Sequence, residues 1–174
     1  MTPRAVFRGA VAGLLMGIGV AGTFWNLGFG IEAQAETPAG TILVVDGHLA
    51  GGQPARFDLA LLQSLPAIQV TTMTPWTEGE NRYDGVRLRD LLKQLGAEGT
   101  SVLAEAMDDY QNAIPMEDVD KYDVIVAYAK NGQPLPRDDK GPLWIIYPFS
   151  EFHELQKDLY FARSVWQLKR LTVQ

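Results

Sequence analysis

Short apolar runs closed by turn-forming residues recur along most of the chain, and they constrain its fold more than any other feature. The run Thr41-Ile42-Leu43-Val44-Val45 ends at Asp46-Gly47, a pattern typical of a strand that meets a tight turn. The same reasoning predicts strands over residues 41–45, 68–72, 102–106, 124–128, 144–147 and 165–173.

Helices are predicted to be short and to lie between these strands. Asp58 stands where an N-cap belongs, before leucines at 59, 62 and 65 and the helix-stopping Pro66. Leucines at 88, 91, 92 and 95 share one face of a second helix, which Gly96 closes. The remaining predicted elements are a turn at 83–86, a surface loop over 73–81, a helical turn over 116–119, a hairpin at Asn131-Gly132 and a helix over 154–160. Together they predict one α+β domain with a single mixed sheet.

The N-terminus has the pattern of an export signal. Arg4 and Arg8 precede an apolar stretch over residues 10–21, and Ala33-Gln34-Ala35 forms a small-x-small cleavage site. We therefore expect a signal peptide over residues 1–35, a periplasmic domain over residues 36–174, and no insertion of that domain into a membrane. Further apolar residues over 24–31 leave an uncleaved anchor as the alternative.

Composition argues against several kinds of site and partner. The chain has no cysteine, so it offers neither a disulfide nor a thiolate ligand. His48 and His153 are its two histidines and lie in different predicted elements, which argues against a zinc or iron site. The net charge of −6 and the lack of a basic run argue against nucleic acid and anionic lipid as partners.

Several motifs occur in a characteristic order. They are Tyr83-Asp84-Gly85-Val86-Arg87-Leu88, Asp108-Asp109-Tyr110, Asn131-Gly132-Gln133-Pro134-Leu135-Pro136, Gly141-Pro142-Leu143 and Tyr147-Pro148. In this combination the chain resembles the sulfite-oxidase-type molybdopterin-binding domain over roughly residues 40–174. The resemblance implies that fold and a pocket for a pterin.

Three departures from the pattern of catalytic relatives affect the expected chemistry. The loop expected after Val70 has no cysteine to bind molybdenum, Trp144 stands where an arginine is usual, and Asp109 replaces a glycine. The resemblance therefore implies a pterin ligand without molybdenum, and the missing thiolate argues against an enzyme.

The segment Arg163-Ser164-Val165-Trp166-Gln167 narrows the resemblance further. It is similar to one in small exported pterin-binding regulators of the PruR type. That likeness implies a non-catalytic protein that reports its ligand to the periplasmic sensor domain of an inner-membrane cyclic di-GMP enzyme or sensor kinase. A molybdopterin-dependent oxidoreductase with its metal held only by the cofactor is the alternative, and a structural adaptor with an empty pocket is the third interpretation.

A pterin is a flat ring system with donors along one edge, so its site needs aromatic stacking and convergent acceptors. The stacking candidates are Trp76, Tyr110 and Trp166, and the acceptor candidates are Glu78, Asp108, Asp109 and Glu151. The remaining candidates are Thr77, Arg82, Ser150, Arg163 and Ser164. Each has a structural interpretation too: the aromatics as core, Asp108 and Asp109 as a solvated turn, and Arg163 in a surface ion pair with Asp158 or Glu154.

Overall fold

Two five-stranded β-sheets and four short α-helices make up residues 40–174, the part of the chain that the computed structural model describes. Among the helices in this range, none combines the length and apolar character needed to cross a bilayer. The predicted signal peptide and its cleavage site at Ala35 lie outside the described residues. The strands are β1 Leu43–Gly47, β2 Ala55–Phe57, β3 Ala67–Met73, β4 Glu80–Arg87, β5 Ser101–Ala106, β6 Gln111–Pro115, β7 Ile125–Lys130, β8 Gln133–Pro134, β9 Trp144–Ile146 and β10 Leu168–Val173.

The first sheet is mixed and has the strand order β2-β1-β10-β5-β6. Its one parallel pair joins β1 to β10, the first and last strands of the described region, and its other pairs are antiparallel. The second sheet has the order β3-β4-β7-β8, with β9 also paired to β7, and all of its pairs are antiparallel. The predicted α+β class is confirmed, and the strands divide between two sheets.

The helices follow the local signals in the sequence. They are α1 Leu59–Ser64, α2 Leu88–Gln94, α3 Met116–Lys121 and α4 Asp158–Arg163. The Asp58 carboxylate caps α1 by accepting the backbone N–H of Leu61 at 2.7 Å. Gly96 follows α2 with a φ of +58°, the left-handed conformation that glycine adopts without strain. In the hairpin between β7 and β8, Asn131 and Gly132 both have positive φ, as predicted.

The core forms two clusters. The larger contains residues of both sheets, such as Val45, Val126 and Ile145, so it lies between them. The smaller belongs to the second sheet and contains Tyr83 and Trp144, both fully buried. β7 contributes alternate residues to the two clusters, which explains its continuous apolar sequence.

Three expectations about local structure are wrong, and one strand was missed. Residues 83–86 lie inside β4, where the register shifts between Asp84 and Gly85. An added Cβ at Gly85 would lie 2.4 Å from the carbonyl oxygen of Val126, so this glycine permits close strand packing and not a turn. β6 was not predicted. The single helix expected over 154–160 is a 3₁₀ turn at His153–Leu155 followed by α4, and the last strand begins at Leu168.

Candidate functional site

A cavity of about 280 Å³ opens between the end of β5, helix α4 and the loop after β3. We call it the aromatic cavity, because Trp76, Tyr110, Phe161 and Trp166 line it. The other lining residues are Ala106, Asp108, Ala162, Ser164 and Val165. Its surface is therefore mainly apolar, with a carboxylate and a few backbone groups as polar components.

Three tryptophan rings form the structural centre of this site. The ring centroids of Trp76 and Trp166 lie 5.3 Å apart in an edge-to-face arrangement, and those of Trp76 and Trp144 lie 5.8 Å apart. Trp144 is fully buried, whereas Trp76 is half-buried and Trp166 is exposed. The three tryptophan rings thus extend from the core of the second sheet to the mouth of the cavity.

A tight turn after β5 holds Asp108 and Tyr110 at the cavity. The backbone N–H of Asp109 donates to the carbonyl of Ala106 at 3.1 Å, and the N–H of Tyr110 donates to Asp108 Oδ1 at 3.2 Å. Asp109 has a φ of +66°, which accounts physically for the glycine usual at this position. The hydrogen bond from the N–H of Tyr110, two residues further along, therefore fixes the orientation of the Asp108 carboxylate.

Contacts across the cavity join this turn to α4. The hydroxyl of Tyr110 donates to the carbonyl of Ala162 at 3.0 Å. The indole N–H of Trp144 donates to the carbonyl of Ser164 at 3.1 Å, and the Ser164 hydroxyl donates to the carbonyl of Tyr160. Ser164 is therefore buried and fixes the backbone at the cavity wall.

The structure brings five of the predicted site residues together, namely Trp76, Asp108, Tyr110, Ser164 and Trp166. Trp76 and Trp166 combine a packing role with a place in the cavity, so the two interpretations of these residues are compatible. Sequence reasoning missed Phe161 and its neighbour Ala162. The signal for them was their position just before the motif 163–167.

The other predicted residues lie outside the lining of the aromatic cavity. Asp109 turns to the Lys169 ammonium at 2.5 Å, and Arg82 lies 3.6 Å from Asp84. Thr77 bonds to Thr74 at 2.7 Å. Two further residues, Glu78 and Glu151, are exposed.

Ser150 is engaged with the end of β3. Its hydroxyl accepts the backbone N–H of Met73 at 2.9 Å, and its own N–H donates to the Thr72 hydroxyl at 2.9 Å. Ser150 also lines a smaller cavity of about 150 Å³, which shares Phe161 with the aromatic cavity.

Arg163 belongs to a buried polar cluster, and its alternative interpretation, a surface ion pair with Asp158 or Glu154, is wrong. Its guanidinium lies 2.7 Å from the Asp118 carboxylate, which also accepts the Tyr147 hydroxyl at 3.0 Å. Burial raises the pKa of Tyr147 far above its usual range, and the negative charge of Asp118 adds to the effect. The physical reason for the pairing is that α3 and the end of α4 meet over Tyr147, 45 residues apart in sequence.

A positively charged side chain, that of Lys140, lies beside the aromatic cavity. The ammonium of Lys140 is 5.8 Å from the ring centroid of Trp144 and 6.0 Å from that of Trp166. Lys140 and Trp144 also line a second cavity, of about 290 Å³. Within residues 40–174 no group of three or more acidic, histidine or cysteine side chains is placed to hold a metal ion.

Known proteins similar to this chain point to one family. The protein-family model described as "Oxidoreductase molybdopterin binding domain" matches residues 42–174. The uncharacterized oxidoreductase YuiH of Bacillus subtilis (strain 168) is 29% identical over 87 residues, which cover 49% of this chain and 44% of that protein. This chain therefore spans less than half the length of that relative.

A solved structure supports the same fold. The sulfane dehydrogenase SoxCD from Paracoccus pantotrophus superimposes with a TM-score of 0.59 and 22% identity, over 75% of this chain and 37% of that chain. At this identity the likeness concerns the fold alone. The match of the family model over residues 42–174 is the finding that decides membership, and the chain belongs to the oxidoreductase molybdopterin-binding domain family.

Proposed function

We propose that the aromatic cavity binds the ring of a pterin-type ligand. The observation that carries the proposal is the convergence of Trp76, Tyr110 and Trp166 on one apolar space with the Asp108 carboxylate at its edge. Membership of a molybdopterin-binding family indicates the same class of ligand. The lining of the cavity and the family membership therefore both favour a flat aromatic ring with hydrogen-bond donors.

The size and polarity of the aromatic cavity suit a flat, neutral bicycle. Its volume of about 280 Å³ lies just below that of most small-molecule sites, which run from roughly 300 to 1,000 Å³. Aromatic edges and faces provide stacking surface, and a carboxylate accepts hydrogen bonds from ring N–H and amino groups. No cationic side chain lines this cavity among the described residues, so an anionic substituent would depend on Lys140 beside Trp166.

The similar proteins favour a redox role for the bound ligand. Both the family and YuiH are named as oxidoreductases. Because the chain has no cysteine, a metal would be held only by the cofactor's own dithiolene sulfurs. The cofactor would supply the redox chemistry, and Trp76, Trp166 and Asp108 would bind and orient its ring. We propose this oxidoreductase as the first of two finer functions.

The second of the two finer functions is that of a metal-free pterin-binding regulator. It is supported by the missing thiolate and by the mainly apolar lining of the aromatic cavity. In this function the domain is exported to the periplasm by residues 1–35 and reports its ligand to the sensor domain of an inner-membrane cyclic di-GMP enzyme or sensor kinase. The export signal and the motif at 163–167 are the features that suggest it.

Extraction of the purified protein distinguishes these functions. Acid releases bound pterin, which is measured by its fluorescence, while molybdenum is measured by elemental analysis. Pterin with stoichiometric molybdenum supports the oxidoreductase, and pterin without molybdenum supports the regulator. Protein purified from its native cells that contains no pterin, and that binds none on titration, overturns the proposal for the aromatic cavity.

Two substitutions locate the pterin. Trp166 lies at the mouth of the cavity and packs on Trp76, so Trp166→Ala should weaken pterin binding by about 1–3 kcal/mol, and the accompanying loss of stability is measured separately by unfolding. Leu61→Ala, on the exposed side of α1, is the matched control and should bind as the wild type does. Unchanged affinity in Trp166→Ala would show that the ring lies elsewhere.

The donor edge of the ring is tested with an analogue that lacks the 2-amino group. If Asp108 reads this edge, Asp108→Asn should reduce the preference for pterin over the analogue, because it replaces one acceptor oxygen by an NH2 donor and removes the charge that strengthens the hydrogen bond from the 2-amino group. Glu151→Gln is the control, since Glu151 is exposed and does not line the aromatic cavity. Equal preference in the wild type and Asp108→Asn would rule out this pose.

A further inference from the structure

β3 forms an open edge of the second sheet. It pairs with β4 over seven residues, and no other described strand pairs with it. Its sequence is Ala67-Ile68-Gln69-Val70-Thr71-Thr72-Met73, which contains no charged residue and no proline. Edge strands of this length and composition offer unpaired backbone groups to any extended segment that approaches.

Hydrogen bonds near the C-terminal end of the strand show which backbone groups face outward. The N–H of Met73 donates to Ser150 and not to β4, and Arg82, opposite Thr71, directs its N–H and carbonyl toward Asn131. Alternation along an antiparallel strand then places the N–H and carbonyl groups of Ala67, Gln69 and Thr71 on the open edge. All three residues are exposed, and none of their backbone groups bonds to another described residue outside the strand pair.

The other sheet edges in residues 40–174 carry features that block strand pairing. β2 has three residues and includes Arg56, and β8 has two residues and includes Pro134. β6 ends in Pro115. β9 has its neighbour in the segment before β10, because the N–H of Ile145 donates to the carbonyl of Val165. Short length, charge and proline are the usual protections of an edge, and β3 has none of them.

The open edge is complementary to itself. Two copies of β3 arranged antiparallel about Gln69 place Ala67 of one copy opposite Thr71 of the other, so every outward donor meets an outward acceptor. The strand is uncharged although the chain has a net charge of −6, so the paired strands bring no like charges together. The Gln69 side chain is bonded to Asp84 on β4 at 2.7 Å, which keeps it along the sheet and away from the edge.

We propose that β3 binds a second copy of this chain by antiparallel strand addition centred on Gln69. The two second sheets become one continuous sheet across the dimer. The interface is separate from the aromatic cavity, although β3 leads directly into the loop that carries Trp76. The proposal does not depend on the nature of the ligand.

Analytical ultracentrifugation of the full chain over a wide concentration range tests the proposal. The wild type should form dimers, and Gln69→Lys should raise the dimer dissociation constant about tenfold or more, because two ammonium groups then oppose each other at the symmetry axis. Gln69→Pro should act similarly without a change in charge, since it removes an outward N–H that β4 does not use. Ala60→Lys, an exposed position on α1, is the control for charge and should dimerise as the wild type does.

Amide hydrogen exchange adds a reading that is specific to the strand. The amides of Gln69 and Thr71 should become protected from exchange as the protein concentration rises. In Gln69→Pro, the amide of Thr71 should show no such increase in protection. A wild type that stays monomeric at every concentration overturns the proposal. So does a dimer that tolerates both substitutions at Gln69, or a monomer that pairs β3 with an unrelated extended peptide instead.

Discussion

The buried ion pair between Asp118 and Arg163 provides the sharpest test of the packing described above. The side chains are 10% and 14% exposed, and their nearest atoms lie 2.7 Å apart. Asp118 is also bonded to the buried hydroxyl of Tyr147. Replacing Arg163 by methionine keeps much of the apolar stem but leaves the carboxylate buried without its cation. The substitution therefore tests the contribution of the Arg163 charge to stability with little change in packing.

The expected loss is large because the carboxylate has little access to water. Removing one partner of a buried ion pair costs about 3–5 kcal/mol, which corresponds to a fall in Tm of roughly 10–20 °C for a domain of this size. Adding Asp118→Asn to Arg163→Met should recover about 1–3 kcal/mol, because the unpaired charge disappears while the amide oxygen still accepts the Tyr147 hydroxyl. The single and double variants thus separate charge from packing.

Urea unfolding, monitored by circular dichroism, measures the free energies of unfolding of the single and double variants. Lys121→Met is the matched control, since the Lys121–Glu154 pair is about half exposed on both sides and its removal should barely change stability. A free energy of unfolding for Arg163→Met that equals that of the wild type would refute the reasoning. So would a double variant less stable than Arg163→Met alone.

Two further predictions concern single residues. Tyr147 has a folded-state pKa far above that of an unfolded tyrosine, near 10, so its contribution is complete below about pH 10 and is lost above it by up to about 1.4 kcal/mol per pH unit. Tyr147→Phe should remove that part of the slope in urea titrations at alkaline pH, and parallel curves for the two proteins would contradict the assignment. Gly85→Ala should cost about 1–3 kcal/mol, because its Cβ would lie 2.4 Å from the carbonyl oxygen of Val126. Gly51→Ala, with open space around it, should leave the free energy of unfolding nearly unchanged, and equal losses at the two glycines would contradict the role of close strand approach.

Features set by neighbouring residues were predictable from the sequence. The cap at Asp58, the close of α2 at Gly96 and the hairpin at Asn131-Gly132 each depend on hydrogen bonds or backbone angles within a few residues. These features carry their cause in the adjacent sequence.

Features set by distant parts of the chain were not predictable in this way. Asp84-Gly85 has the composition of a turn, but the approach of β7 to β4 decides its conformation. β6 begins with polar residues and becomes a strand by pairing with β5. Arg163 meets Asp118 through a contact between the end of α4 and α3, across 45 residues of sequence. Each of these depends on tertiary contacts that no window of neighbouring residues contains.

The grouping of the tryptophans gives the domain a built-in optical reporter. The chain has four tryptophans, and the three within residues 40–174 lie together at the aromatic cavity, with ring centroids 5.3 to 6.5 Å apart. Indole emission from this part of the chain therefore originates at one place, the wall of the cavity. A conjugated ring that enters the cavity will quench that emission, so occupancy can be followed without a label by the protein's own fluorescence.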